Sequence, residues 1–209
     1  MKPQSLITLI AGVGITLSLG VATYLQLADQ HVTTPDATLH VATTAKIQTL
    51  DSTTYAYRTD AEAIGTILVG LYTHDAHGKA VPAIGAPHPK VSKDQRTYTY
   101  HLRNYRWSNG QRVTAQDFVY ALRRLVNPKT GSYNAARADI LVNGEAIRTG
   151  KKTGSALGVK ALNQTSLQLQ LVHPCPYLKN VLASASFLPI NQAFAEKWGN
   201  NMAPAPKAP

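Results

Sequence analysis

VSKDQRTYTYHLRNYRWSNGQRVTAQDFVYALRRLVNPKTGS, residues 91–132, contains two predicted secondary-structure elements joined by a turn. Thr97–Arg103 alternates aromatic and aliphatic residues with polar ones, which predicts a strand with one buried face. Ser108, Asn109 and Gly110 then predict a turn, because glycine and asparagine tolerate a positive φ. A helix is expected directly after this turn.

The start and the end of that helix are both marked in the sequence. Thr114 is placed to cap the N-terminus, with Asp117 near the third helical position. Apolar residues then recur at helical spacing from Phe118 to Val126. Asn127-Pro128 ends the helix, because proline cannot continue it. Taken alone, these signals predict a mixed α/β domain and no particular function.

The same block closely resembles a known signature. HLR at 101–103 and RWSNGQRVTAQDFVYALRRLVNPKTGS at 106–132 resemble the oligopeptide-binding proteins of ABC importers, the family-5 extracytoplasmic solute-binding proteins. Further segments that resemble the family lie on both sides: Ile47–Asp51, Gly70–Tyr72, Gly78–Ala83, Leu157–Leu162 and Pro174–Leu178. The resemblance covers residues 38–199 through several ordered motifs.

The resemblance implies a fold and a domain order. The fold class is mixed α+β, part of a two-lobed structure like the periplasmic binding proteins, with one strand of the first lobe at Leu39 and an accessory domain at 55–185. Members are normally more than twice this length, so the resemblance implies the amino-terminal portion only, with the second lobe missing. Residues 39–199 are the expected family region, 29–38 a linker and 200–209 an Ala/Pro tail.

The N-terminus predicts export. Lys2 is followed by residues 3–28, which carry no charged side chain and are largely apolar, as in a secretory signal peptide. Gly20 and Ala22 fit a cleavage site after Ala22. The alternative for residues 1–28 is a retained membrane anchor, because about 20 apolar residues span a bilayer. Leu17–Val21 contains no cysteine, so a lipid anchor of the lipoprotein type is not predicted.

Charge restricts the classes of partner. Lysine and arginine outnumber aspartate and glutamate by 21 to 11, a net charge of +10. Nucleic-acid binding is not predicted, because no zinc-ligand spacing, aromatic RNA-binding motif or basic repeat accompanies the charge. A membrane surface or an anionic envelope polymer is the expected electrostatic partner.

The resemblance also implies a binding segment, Thr54–Arg58. In the family, the segment after the Leu-Asp element lines the groove, where its backbone pairs with an extended peptide. The tentative peptide-binding residues are therefore Tyr55, Ala56, Tyr57 and Arg58, with the tyrosines lining a pocket and Arg58 facing a carboxylate. The alternative is that these are ordinary loop residues with half-packed tyrosines. Two departures from the family pattern bear on this groove: Ser52 stands where proline is usual, and Val69 where an acidic residue is usual.

Catalytic and metal sites are not predicted. The sequence has no phosphate-binding glycine loop, nucleophile elbow or paired-carboxylate pattern, so the chain is not expected to be an enzyme. His74 and His77 have a spacing that suits a metal, but no third ligand is evident, and solvated turn histidines are the favoured interpretation. Cys175, beside His173, is favoured as a packing residue. No cofactor is expected.

The predicted function is the extracytoplasmic peptide-binding component of an ABC importer. Its expected partners are oligopeptides and the permease and ATPase subunits of the importer. The alternative is a truncated paralogue that no longer transports peptide and acts as a surface interaction protein.

The remaining sequence patterns predict further elements. They are strands at Leu39–Ala45, Gly158–Leu162 and Ser166–Val172, and helices at Ala61–Leu71 with Asp60 as cap, Ala135–Arg148, Tyr177–Ala183 and Asn191–Trp198.

Overall fold

The fold is known from a computed structural model that describes residues 41–43 and 45–198. The helices are α1 (Arg58–Ile67), α2 (Ala115–Val126), α3 (Gly144–Arg148), α4 (Leu178–Leu182) and α5 (Gln192–Trp198). The strands are β1 (Tyr72–His74), β2 (Ala80–Pro82), β3 (Lys90–Val91), β4 (Thr97–His101), β5 (Val159–Asn163) and β6 (Ser166–Gln170). Short 3₁₀ helices lie at Pro128–Thr130, Ala135–Ile140, Gly154–Ala156 and Ala185–Phe187.

The central feature is an antiparallel four-stranded sheet in the order β3-β4-β6-β5. In the β4–β6 ladder, Thr97 lies opposite Gln170 and His101 opposite Ser166. The predicted strands at 97–103, 158–162 and 166–172 are therefore confirmed with shifted ends. The β5–β6 pair is a hairpin closed by a turn at 164–165.

Helix α2 covers one face of this sheet and supplies much of the core. Its apolar stripe is buried together with Tyr100 of β4 and Leu167 and Leu169 of β6. Each large apolar side chain removed from water contributes roughly 1.5–3 kcal/mol before entropy is counted. The helix runs from Ala115 to Val126, within the limits set by Thr114 and Asn127, so this prediction is confirmed.

A second, two-stranded sheet is formed by β1 and β2, with Tyr72 opposite Pro82 and His74 opposite Ala80. The ring of Tyr72 meets the ring of Tyr100 edge-on, with centroids 6.1 Å apart. This aromatic contact packs the two sheets against each other, since both tyrosines are almost fully buried.

The helix predicted at Ala61–Leu71 is displaced toward the N-terminus. Helix α1 starts at Arg58 and ends at Ile67, and Leu68 is already extended. The reason is backbone pairing beyond the helix, where the carbonyl of Leu71 accepts hydrogen bonds from the N–H groups of Ala83 (2.9 Å) and Gly85 (3.1 Å). Asp60 is therefore not the cap but lies in the first turn of α1.

The single helix predicted at Ala135–Arg148 is wrong. The chain forms a 3₁₀ helix at Ala135–Ile140, leaves it, and forms α3 only from Gly144. Between the two, the N–H of Val142 donates to Gln170 (2.9 Å), and its carbonyl accepts from Gly158 (2.8 Å). Tertiary pairing with the end of the sheet therefore replaces helical hydrogen bonds here.

Leu39–Ala45 is not a strand in its described part. Residues 41–43 and 45 belong to no strand, and 41–43 are exposed. The predicted helices near Tyr177–Ala183 and Asn191–Trp198 are confirmed as α4 and α5.

Several predicted segments lie outside the described residues, namely the signal or anchor at 1–28, the linker at 29–38 and the tail at 200–209. In the portion that the structure describes, none of the helices combines the length and the apolar character needed to cross a membrane.

Candidate functional site

The predicted binding segment, Thr54–Arg58, connects a buried turn to helix α1. The carbonyl of Asp51 accepts hydrogen bonds from the N–H groups of Thr54 (3.3 Å) and Tyr55 (3.2 Å), which forms the turn. Tyr57 is the last extended residue before α1, with φ −104° and ψ 152°. The segment therefore crosses the surface between two fixed points.

Tyr55 is an anchor in this structure and does not line an open pocket. Its ring is buried with Ile64 and Leu188, and its hydroxyl lies 2.9 Å from the hydroxyl of Ser186. The side-chain amide of Asn134 donates to the Tyr55 carbonyl at 2.8 Å. Tyr55 thus joins the segment to two distant parts of the chain.

Ala56, Tyr57 and Arg58 form the exposed part of the segment. The side chain of Tyr57 is 61% exposed. Among the described residues, the backbone N–H groups of Ala56 and Tyr57 have no hydrogen-bond partner. Exposed donors next to a rigid anchor are what an added strand requires.

Arg58 carries the charge of the segment. Its Nε lies 2.7 Å from Oε1 of Glu62, one helical turn further along α1, and both side chains are largely exposed. The hydrogen bond and the charge of Glu62 raise the pKa of Arg58. Exposed pairs of this type contribute little stability, so the guanidinium can exchange Glu62 for another carboxylate at low cost.

The turn before the segment is held by an ion pair that sequence reasoning did not find. Arg124 of α2 donates to both carboxylate oxygens of Asp51, each at 2.6 Å, and also bonds the hydroxyl of Thr53. Both members of the pair are nearly buried. Burial raises the pKa of Asp51, but the hydrogen bonds from Arg124 and Thr53 and the charge of Arg124 outweigh it, so the net shift is downward.

A second buried carboxylate lies on the other side of the segment. Oδ1 of Asp60 accepts hydrogen bonds from the N–H groups of Gln48 (2.7 Å) and Thr49 (3.4 Å). Asp60 therefore fixes the extended-loop segment around Gln48 and Thr49 that leads to Asp51. In the described chain, Oδ2 of Asp60 and the hydroxyls of Ser52 and Thr59 are buried with no hydrogen-bond partner. Serine in place of the proline usual at position 52 thus adds one buried hydroxyl beside the segment.

The histidines considered as metal ligands do not belong to a cluster. Within residues 41–43 and 45–198, no group of three or more His, Cys, Asp and Glu side chains is placed to hold a metal ion. His77 lies in the exposed turn between β1 and β2, where its backbone N–H donates to the carboxylate of Asp75. Cys175 is buried in the main core, as a packing residue would be.

Comparison with known proteins gives a consistent family. Residues 79–208 match the family model described as bacterial extracellular solute-binding proteins, family 5 middle. The chain is 36% identical over 154 residues to a dipeptide-binding protein of Lactococcus lactis subsp. cremoris, covering 73% of this chain and 28% of the relative. It is 39% identical over 141 residues to the periplasmic murein peptide-binding protein MppA of Escherichia coli, covering 66% of this chain and 26% of the relative.

Solved structures show the same likeness in three dimensions. The structure of Listeria monocytogenes OppA bound to peptide matches with a TM-score of 0.74 and 36% identity, over 76% of this chain and 31% of that one. The unliganded, open form of MppA matches with a TM-score of 0.70 and 36% identity, over 75% and 30%. The chain thus spans about 30% of the length of the structures that it matches, and the predicted mixed α+β class is confirmed.

Proposed function

The chain belongs to the family-5 bacterial extracellular solute-binding proteins, and we propose on that basis that it supplies part of the peptide-binding surface of an oligopeptide importer. The proposal extends to the whole assembly: the peptide is captured outside the cytoplasmic membrane and passed to a permease powered by ATPase subunits. A membrane-proximal location is part of it, through residues 1–28 as a signal or anchor. The family consists of binding proteins, so no catalytic step is assigned.

One observation in the structure carries the peptide-binding role of Thr54–Arg58. The N–H groups of Ala56 and Tyr57 point to no acceptor in the described chain, although the neighbouring Tyr55 is fixed through its ring, hydroxyl and carbonyl. Successive N–H groups of an extended backbone point to opposite sides, so a peptide aligned along this segment would use one of these two donors, without any requirement on its own side chains. Backbone recognition of this kind suits a protein that accepts many sequences.

The side chains of Tyr57 and Arg58, beside these donors, could contact a side chain and the C-terminal carboxylate of a short peptide. The Tyr57 ring offers exposed apolar surface against which a peptide residue can pack. Arg58 offers a guanidinium whose present partner, Glu62, is exposed and exchangeable. We assign to Arg58 the recognition of a peptide carboxylate, because guanidinium and carboxylate groups form two parallel hydrogen bonds.

Amide hydrogen exchange during peptide titration tests this function. Trialanine is added to the 209-residue chain, purified in a non-ionic detergent, and exchange is followed at Ala56 and Tyr57. We expect one of the two amides to become protected at saturation. The amide of Tyr133, in an exposed turn without a backbone partner among the described residues, serves as the control and should not change.

The results distinguish two questions: whether the chain binds peptide, and whether it does so at residues 54–58. Saturable binding without protection of either Ala56 or Tyr57 would place the peptide elsewhere on the chain. Absence of binding to trialanine and to longer peptides would contradict peptide binding by this chain.

A further inference from the structure

A cavity open to solvent lies at the C-terminal end of α2, and none of the residues 54–58 lines it. It is bounded by the end of that helix, the 3₁₀ turn Pro128–Thr130 and the loop 150–155, and its volume is about 630 Å³. Volumes of roughly 300–1,000 Å³ are typical of sites for small molecules. The cavity is therefore large enough for an organic ligand rather than a single inorganic ion.

The lining of this cavity is strongly basic. Arg123, Arg124, Lys129 and Lys152 contribute to it, and the described residues that line it include no aspartate or glutamate. Arg124 is engaged with Asp51, and the ammonium of Lys152 donates to Asn143 at 2.7 Å. Asn143 is neutral, so the charge of Lys152 is not cancelled by that contact.

Arg123 gives the most specific indication of a ligand. Its Nε is buried and has no hydrogen-bond partner in the part of the chain that the structure describes. A buried N–H donor without an acceptor destabilises the fold, and more so when the group is charged. Other atoms of Arg123 line the cavity, so an anion bound there would lie beside this guanidinium and offset part of that destabilisation.

The helix end alone does not account for this arrangement. Cations in the last turn of a helix are favourable because they face the negative end of its dipole, which favours an arginine at position 123 but supplies no acceptor for its Nε. Lys129 and Lys152 come from two other segments, the 3₁₀ turn and the loop after α3, yet they line the same cavity. Three segments thus direct positive charge to one space.

We propose that this cavity binds a small organic molecule that carries two phosphate groups. Arginine pairs well with phosphate oxygens through its planar N–H groups, and lysine adds a point charge. The non-ionic part of the ligand would lie against Tyr120, Pro128 and Ile147, which supply apolar surface to the same cavity. This site is separate from the peptide-binding role and does not depend on it.

Isothermal titration calorimetry with pyrophosphate, the smallest diphosphate, tests the site. The full chain is compared with Arg123→Gln and Lys129→Gln, each of which removes one charge from the cavity. Lys93→Gln is the matched control, since Lys93 is exposed in the turn between β3 and β4 and does not line the cavity. We expect each cavity variant to bind about tenfold more weakly, as for loss of one charge-assisted hydrogen bond, and the control to bind like the parent.

Melting temperatures show whether each variant folds. If Arg123→Gln or Lys129→Gln fails to fold, Lys152→Gln is compared with the parent instead. Equal weakening by Lys93→Gln, or no saturable binding by the parent, would overturn the proposal. Glycerophosphoglycerol, the soluble headgroup of an anionic lipid with one phosphodiester, should bind much more weakly than pyrophosphate. Comparable affinity for the two would show that a single phosphate suffices and would also overturn it.

Discussion

Arg124 binds both carboxylate oxygens of Asp51 at 2.6 Å, although 73 positions separate the two residues in sequence. The pair is almost fully withdrawn from water and is completed by the hydroxyl and N–H of Thr53. It connects the main helix α2 to the turn that precedes the proposed peptide-binding segment. The position of that segment therefore depends on an interaction between two remote parts of the chain.

Asp51→Asn should destabilise the fold substantially. The substitution removes the charged partner from a buried ion pair, and breaking such a pair costs about 3–5 kcal/mol in comparable proteins. The free energy of unfolding in urea measures the loss. Asp139→Asn is the control, because both carboxylate oxygens of Asp139 also accept hydrogen bonds from one arginine, Arg148 (3.1 and 2.7 Å), but this pair is about one-third exposed. We expect the free energy of unfolding of that variant to fall by less than about 1 kcal/mol. Equal decreases in the two variants would contradict the expectation that burial raises the cost of breaking the pair.

The same pair predicts a pH dependence. The pKa of Asp51 is lowered in the folded chain, since Arg124 and Thr53 outweigh the effect of burial. Its contribution to stability is therefore complete above the unfolded pKa of about 4 and is lost as the pH falls through the lower folded value. Melting temperatures of the parent and Asp51→Asn should differ by a constant amount near neutral pH and converge in acid. A difference that widened below pH 4 would contradict this sign.

Arg58→Gln should abolish discrimination between peptides with and without a free carboxylate. This prediction rests on the proposed function. The parent should bind trialanine about tenfold more tightly than its C-terminal amide, in keeping with a charge-assisted hydrogen bond. The variant should bind both alike. Arg112→Gln, which changes an exposed arginine outside the segment, should discriminate as the parent does.

Leu122→Asp should unfold the domain. Leu122 is 2% exposed on the apolar face of α2, within the main core. A charge without a partner at such a site costs several kcal/mol. Circular dichroism during heating should show loss of the cooperative transition. Gln116→Asp places the same charge on the exposed face of α2 and should melt near the parent temperature.

Two glycine substitutions should act in opposite directions. A Cβ on Gly158 would lie 2.6 Å from the carbonyl oxygen of Gln170 and 3.0 Å from the nitrogen of Val142, so Gly158→Ala must displace backbone. Gly65 lies at an exposed position of α1, and a Cβ added there meets no atom within 4 Å. Gly158→Ala should lower the melting temperature, whereas Gly65→Ala should stabilise the fold by about 0.5–1 kcal/mol. A neutral result for Gly158→Ala would show that the sheet end is pliable.

Local signals predicted the centre of the fold well. Three local signals define α2: the cap at Thr114, the apolar stripe and the stop at Asn127-Pro128. Each involves residues close together in the chain, so it can be recognised from the sequence. At the start of the helix, the Asp117 carboxylate accepts from the Thr114 N–H at 2.8 Å. The helix ends at Val126 and its apolar stripe is buried, as predicted. The family predicted from residues 91–132 is also confirmed.

Features that depend on remote pairing were missed. The helix predicted at Ala135–Arg148 has a suitable pattern, but Val142 pairs with Gln170 and Gly158, which lie far away in sequence. Of the candidate site, the sequence indicated the segment but not the orientation of its side chains. Tyr55 and Tyr57 look alike in sequence, yet one is buried and the other exposed. The pairing of Arg124 with Asp51 carries no local pattern at all. Residues 54–58 as a peptide site remain a prediction.

The pairing of β4 with β6 has a consequence for how the chain acquires its structure. His101 lies opposite Ser166, so the central ladder can close only after the whole intervening segment has emerged and collapsed. Closing such a long loop slows folding relative to helical domains of similar size. The capped helix α2 lies inside this loop and can form early, before the sheet against which it packs. A nascent chain without β6 would present the apolar face of α2 and an unpaired edge of β4 to solvent, which favours aggregation over partial folding.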